Sequence, residues 1–135
     1  MKTAKPSDLE MQILSVLWEK GHSTVRDVLE AMPDGKKRAY TSILSVMQVM
    51  EKKGFLKHTT RGTAHVYRPA VHKKKIIQPF VRKVLTEVFG GKPSAMMQAL
   101  LTETSISDDE AIQIQKILEE AHQTKRGKDK QGEGK

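Results

Sequence analysis

After Gly54 the hydrophobic period of this chain switches from helical to alternating, and that switch narrows the folds open to it. Three helix signals lie upstream. Ser7 and Glu10 have capping-box spacing, and Leu9, Ile13, Val16 and Leu17 follow at helical intervals until Gly21. Ser23 and Thr24 are N-cap candidates for a shorter helix with Val25, Val28, Leu29 and Met32 on one face, closed by Pro33-Asp34-Gly35. A third helix opens after Lys36 and Lys37 and runs to Lys53, with Ala39, Ile43, Val46, Met47 and Met50 recurring at three and four. Gly54 is its natural C′ residue. Downstream, Phe55 to Thr60 and Ala64 to Arg68 have the pattern of two short strands around Arg61-Gly62, closed by Pro69. Three helices followed by a two-stranded β wing predict a mainly α chain built on a winged helix-turn-helix, here residues 1–71.

The rest of the chain is a different object. From Ile76 to Phe89 apolar pairs recur at 76/77, 80/81, 84/85 and 88/89, a stripe too wide for a helix that covers one small core. Pro79 must sit in the first turn of that helix or kink it. Gly90, Gly91 and Pro93 break the stripe, Ser94 caps a short helix with Met96, Met97, Leu100 and Leu101, and Ser107 with Glu110 makes another capping box. The last helix puts Ala111, Ile114, Ile117, Leu118 and Ala121 on one side. Short amphipathic helices joined by Gly and Pro bury their faces poorly within one chain, so residues 72–122 are expected to form a helical dimerisation arm. Its contacts would come from Ile77, Phe80, Val81, Val84, Leu85, Val88, Met97, Leu100, Leu101, Ile114, Ile117 and Leu118. The alternative is an arm that folds back on the winged helix. Residues 123–135 hold Lys, Gly, Gln and Glu with hardly an apolar side chain and read as a disordered basic tail.

Charge divides the chain the same way. Between Lys36 and Lys83 stand thirteen Lys and Arg residues against one acid, Glu51; that window is +12 in a chain of net +8, leaving −4 for the remainder. A basic block interleaved with helical periodicity and a turn points to a nucleic-acid reader rather than to a solvated charged face, and on a helix-turn-helix the expected partner is double-stranded DNA. In a helix-turn-helix the third helix enters the major groove by its N-terminal turns. Its positions off the apolar face include Lys37, Arg38, Tyr40, Thr41, Ser42, Ser45 and Gln48. Lys37 and Arg38 would meet phosphate at the helix start, Thr41, Ser42 and Ser45 are short enough to approach base edges, Tyr40 serves phosphate or stacks, and Gln48 suits adenine one turn deeper. Arg61 at the wing tip suits a phosphate or a minor groove, or is simply a hairpin-tip solubility residue. Lys57 and Lys73 to Lys75 would track the flanking backbone.

Other chemistries find little support. The chain has no cysteine, which excludes disulfides, thiolate metal sites and cysteine nucleophiles. His22, His58, His65, His72 and His122 form no metal-ligand spacing, and no HExxH, Gly-rich phosphate loop or catalytic triad order is present. Asp108-Asp109-Glu110 opens a helix, where acids complement the macrodipole. No cofactor, no metal and no enzymatic activity are expected. Neither a membrane span nor a signal peptide is legible, which suggests a cytoplasmic protein.

Leu9-Glu10 through Leu17-Trp18, Ser23 to Val28, Thr41 to Leu56 and Tyr67-Arg68-Pro69 together resemble the penicillinase and methicillin-resistance repressor family (BlaI/MecI type). The segment around Phe89-Gly90-Gly91 and the two helices after it resemble that family's dimerisation arm, so the likeness spans roughly residues 7 to 122. It implies a homodimer that binds an inverted-repeat operator and blocks transcription, with Thr41, Ser42 and Ser45 facing the groove, His58 on the first wing strand and Tyr67 on the second. It also implies relief by a regulatory protease that cuts the arm at an Asn-Phe bond. Here Ala99-Leu100 occupies the corresponding place, a departure that leaves a different peptidase or a ligand as alternatives. The thiolate mechanism of a copper-responsive branch is closed to a chain without cysteine. A winged-helix protein-interaction module and an activator of the same fold remain the rival readings.

Overall fold

The computed structural model describes residues 5–133, with side chains described through residue 125. The order of elements is α1 (Asp8–Lys20), α2 (Val25–Glu30), α3 (Tyr40–Lys52), β1 (Leu56–Arg61), β2 (Ala64–Pro69), α4 (Lys73–Glu87), α5 (Pro93–Glu103) and α6 (Asp108–Glu133). The chain is a winged helix-turn-helix followed by helices. It divides into two compact units, one ending at Lys83 and the other beginning at Val84. That division falls inside α4 and not at the 71/72 boundary expected from composition. The reason is local: Val71 and Ile76 pack against the winged-helix core, so the first turns of α4 belong with it.

Helix α1 starts where the capping box places it. The Glu10 N–H donates to Ser7 Oγ at 3.2 Å and the Ser7 N–H to Glu10 Oε1 at 2.9 Å. Gly21, at φ 79°, ends it by donating to the Leu17 carbonyl. Helix α2 takes Thr24 as its cap, reciprocated by Asp27. Ser23, the other cap candidate, instead exchanges two backbone hydrogen bonds with Tyr67, 2.9 and 2.8 Å long, and so ties the α1–α2 corner to the wing. Helix α3 opens at Tyr40, later than expected, because the backbone from Lys36 is held in a turn by Asp34. Ala39 is therefore an exposed N-cap and not a core position.

The wing is a simple antiparallel pair, registered from Leu56 opposite Pro69 to Arg61 opposite Ala64, with Gly62 at φ 61° in the connection. Glycine suits that turn because other side chains clash in the left-handed region. Phe55 precedes the strand and is fully buried. The core gathers Ile13, Leu14, Leu17, Val28, Ile43, Met47, Met50, Phe55, Leu56 and Tyr67, each almost completely removed from water. Trp18 donates its indole N–H to the Val71 carbonyl at 3.0 Å and anchors the exit from β2 to α1.

In the arm three local expectations change. Helix α4 begins at Lys73, three residues before the apolar stripe, so Pro79 lies in its interior and not in its first turn. Helix α5 takes Pro93 at N1 with Lys92 as N-cap, so Ser94 is inside the helix and does not cap it. Proline favours that place because its missing N–H is unpaired there anyway. Helix α6 is capped by Ser107 Oγ, which accepts from the Glu110 N–H, and it continues to Glu133 instead of ending before the tail. The expectation of disorder for 123–135 thus meets helical backbone through Glu133, while residues 134–135 lie outside the described ones. No helix among the described residues is long and apolar enough to cross a membrane.

Candidate nucleic-acid interface

Burial of Ile43, Met47 and Met50 turns the opposite side of α3 to solvent, because residues three and four apart share a face. Thr41, Ser42, Ser45, Gln48 and Val49 are all exposed, as the sequence pattern requires. That surface has two strips. Thr41, Ser45 and Val49 lie on one helical row, with Ser42 beside it. Tyr40, Leu44 and Gln48 lie on another, and this second row forms the floor of a cleft of about 520 Å³.

The cleft is built from three elements. Thr24, Val25 and Arg26 come from the start of α2, and Thr63, Ala64 and His65 from the wing. None of its lining residues carries a carboxylate. Arg26 places its guanidinium 5.6 Å from the centre of the Tyr40 ring. Asp27, its neighbour, turns its carboxylate to the helix cap and accepts the Thr24 N–H, a bond that holds its pKa below the usual aspartate value. Arg26 was not legible as a site residue in the sequence. Its position on a polar helix face is ordinary, and its nearness to Tyr40, fourteen positions on, exists only in the folded chain.

Other basic residues are committed within the protein. Arg38 forms a two-pronged pair with Asp34, at 2.9 and 2.6 Å, and Asp34 also accepts the Lys36 N–H. Arg38 first and the Lys36 N–H second hold the Asp34 carboxyl far below the normal range. Lys53 reaches Glu10 at 2.9 Å. Lys37 is exposed and precedes α3 rather than lying in its first turn, and Arg61 ends β1 at the exposed wing tip. Lys57, Lys73, Lys74 and Lys75 are likewise exposed. The positive surface is therefore smaller than the residue count implies.

The wing also holds α3. His58 Nδ1 lies 2.7 Å from the Glu51 carboxylate, joining β1 to the last turns of α3. His65 stacks on His58 with ring centres 4.3 Å apart, and Tyr67 packs beside them at 5.4 Å from His58. Burial, then the Glu51 charge, push the Tyr67 phenol above its ordinary value. Among the described residues no group of three or more His, Asp or Glu is placed to hold a metal ion.

The arm supplies no interface of this kind. In α4 and α5 no residue is fully buried, and Phe80, Val81, Val88, Leu100, Leu101, Ile117 and Leu118 are exposed. Ile77, Val84, Leu85, Met97 and Ile114 are half-buried. Ile106 and Ile112 are also exposed, although the helical pattern did not single them out. Ala99-Leu100 lies within α5, with both residues exposed.

A family model described as "Penicillinase repressor" matches residues 6–120. The penicillinase repressor of Bacillus licheniformis is 24% identical over 119 residues, covering 88% of this chain and 93% of that protein. The transcriptional regulator BlaI of Mycobacterium tuberculosis is 27% identical over 122 residues, covering 88% and 86%. The solution structure of the Bacillus licheniformis BlaI monomeric form in complex with the blaP half-operator aligns with a TM-score of 0.46 at 23% identity, covering 54% of this chain and 89% of that one.

Proposed function

The chain belongs to the penicillinase repressor family, and from that premise we propose that it is a cytoplasmic, homodimeric transcriptional repressor of a pseudo-palindromic operator. Each protomer inserts α3 into a major groove and lays its wing along the flank. The observation that carries the proposal is the exposed face of α3, where Thr41, Ser42, Ser45 and Gln48 stand clear of the core and Gln48 borders the cleft that Arg26 and the wing share. Short hydroxyl side chains allow the helix to approach base edges closely, and Gln48 offers a donor and an acceptor together. Lys37 and Arg61 take phosphates on either side, while Arg38 shapes the turn before α3 through Asp34.

The apolar faces of α4 to α6 join two copies, and the two-fold axis makes the operator palindromic. Relief of repression acts on the arm, by a regulatory protease whose cut at Ala99-Leu100 would require α5 to open, or by another signal. A gel-shift titration of the pure protein on DNA upstream of its own gene tests the proposal. Preference over competitor DNA is expected, with a log–log salt slope of about −7 to −11 for a dimer neutralising roughly four to six phosphates per protomer. Equal affinity for the upstream DNA and for random DNA would remove it.

A further inference from the structure

We propose that Arg26 of α2 is a phosphodiester-binding residue and that Tyr40 is the residue that positions it, making the cleft beside α3 the seat of one DNA backbone phosphate per protomer. The inference rests on the operator-binding reading above and adds to it a contact from α2. Arg26 is exposed, lies 5.6 Å from the Tyr40 ring centre, and lines a cleft shared with Gln48 and the wing residue His65.

Three observations favour a phosphate there. First, no acid lines the cleft, and the adjacent Asp27 is engaged at the Thr24 cap. The guanidinium thus differs from that of Arg38, whose charge Asp34 already answers at 2.6 Å. Second, the Tyr40 face restrains a long side chain that would otherwise lose rotamer freedom on binding, and an aromatic face attracts a guanidinium without neutralising it. Tyr40 itself is 42% exposed, so the ring and the guanidinium beside it are both open to solvent. Third, Tyr40 and Gln48 occupy one row of the helix that also presents Thr41 and Ser45, so a strand lying along the cleft borders the groove that those residues face. Guanidinium groups bind phosphate by paired N–H donors, which the open end of Arg26 can supply.

The test is equilibrium DNA binding by the full-length protein as a function of salt, with Arg26→Ala, Tyr40→Leu and Tyr40→Phe. Arg26→Ala should weaken operator and random DNA by similar factors and make the salt slope shallower by about 1 per protomer. Tyr40→Leu should weaken binding in the same sequence-independent way, and Tyr40→Phe, which keeps the ring and loses only the hydroxyl, should lose clearly less than Tyr40→Leu. Thermal unfolding of each variant by circular dichroism separates lost contact from lost fold. An unchanged slope in a folded Arg26→Ala protein that still prefers its operator would overturn this inference while leaving the repressor reading intact. Loss of binding in Tyr40→Phe equal to that in Tyr40→Leu would overturn the positioning role. If the parent protein does not prefer its upstream DNA at all, it is the repressor reading that fails.

Discussion

Glu10 shows how one residue can carry more than its spacing announces. As the N3 residue of a capping box it answers the Ser7 N–H, yet it is also 4% exposed and paired with Lys53 from the end of α3. Burial pushes its carboxyl up; the Ser7 N–H and the Lys53 ammonium together outweigh burial, and the net pKa is lowered. A folded pKa below the unfolded one means stability that is complete above the ordinary glutamate value and is lost as pH falls through the folded value. Glu10→Gln, which keeps an oxygen for the Ser7 N–H but removes the charge paired with Lys53, should therefore lower stability at pH 7 by about 1 kcal/mol, the scale of one charge-assisted bond. Urea unfolding at pH 7 and pH 3 checks it: the gap between parent and variant should narrow in acid, and a gap that is constant with pH would contradict the assignment. Glu10 was legible as a cap because three-residue spacing is local. Its bond to Lys53, forty-three positions away, was not.

Among the elements, α3 is recognisable by its period, but it starts later than that period indicates. Lys37 and Arg38 favour a helix by propensity, but Asp34 ties Arg38 and the Lys36 N–H into a turn, and the helix waits until Tyr40. Its face toward DNA survives that shift because Ile43, Met47 and Met50 fix its rotation. Thr41→Ala and Ser45→Ala should each reduce operator preference by about 1–3 kcal/mol if they read bases, with the salt slope unchanged. Competition gel shifts distinguish this pattern from the uniform loss expected of a phosphate contact. The wing was legible from its alternation and its Gly62 turn, whereas the His58–Glu51 pair and the His65 stack depended on the strand register.

For the whole molecule, the arm is the part whose side chains remain exposed. Val88 is 68% exposed and Ile117 61%, and Phe80, Val81, Leu100, Leu101 and Leu118 are exposed with them. On the dimer proposal those faces meet a second copy. Val88→Asp and Ile117→Asp should then shift the monomer–dimer equilibrium toward monomer by about 2–3 kcal/mol, since a charge buried in an apolar contact loses its hydration. Sedimentation equilibrium measures the shift, and operator affinity should fall with it because linked half-sites supply effective concentration. Unchanged association in both variants would place the dimer contact away from these faces.

The three helices, the wing and the outward face of α3 can be read from the order of residues alone. Periods, caps and turn glycines act over a few residues, and the chain displays them directly. It also located the positive charge, because charge is additive along a segment. Which of those charges remain available depends on the folded chain. Pairing joins residues that are distant along the chain, as in Lys53 to Glu10, and so does the approach of Arg26 to Tyr40. The +12 window from Lys36 to Lys83 omitted Arg26 altogether and counted Arg38 and Lys53, which the fold turns toward carboxylates. Spacing records composition and local geometry, while the field at a surface depends on distances that exist only after the core has closed.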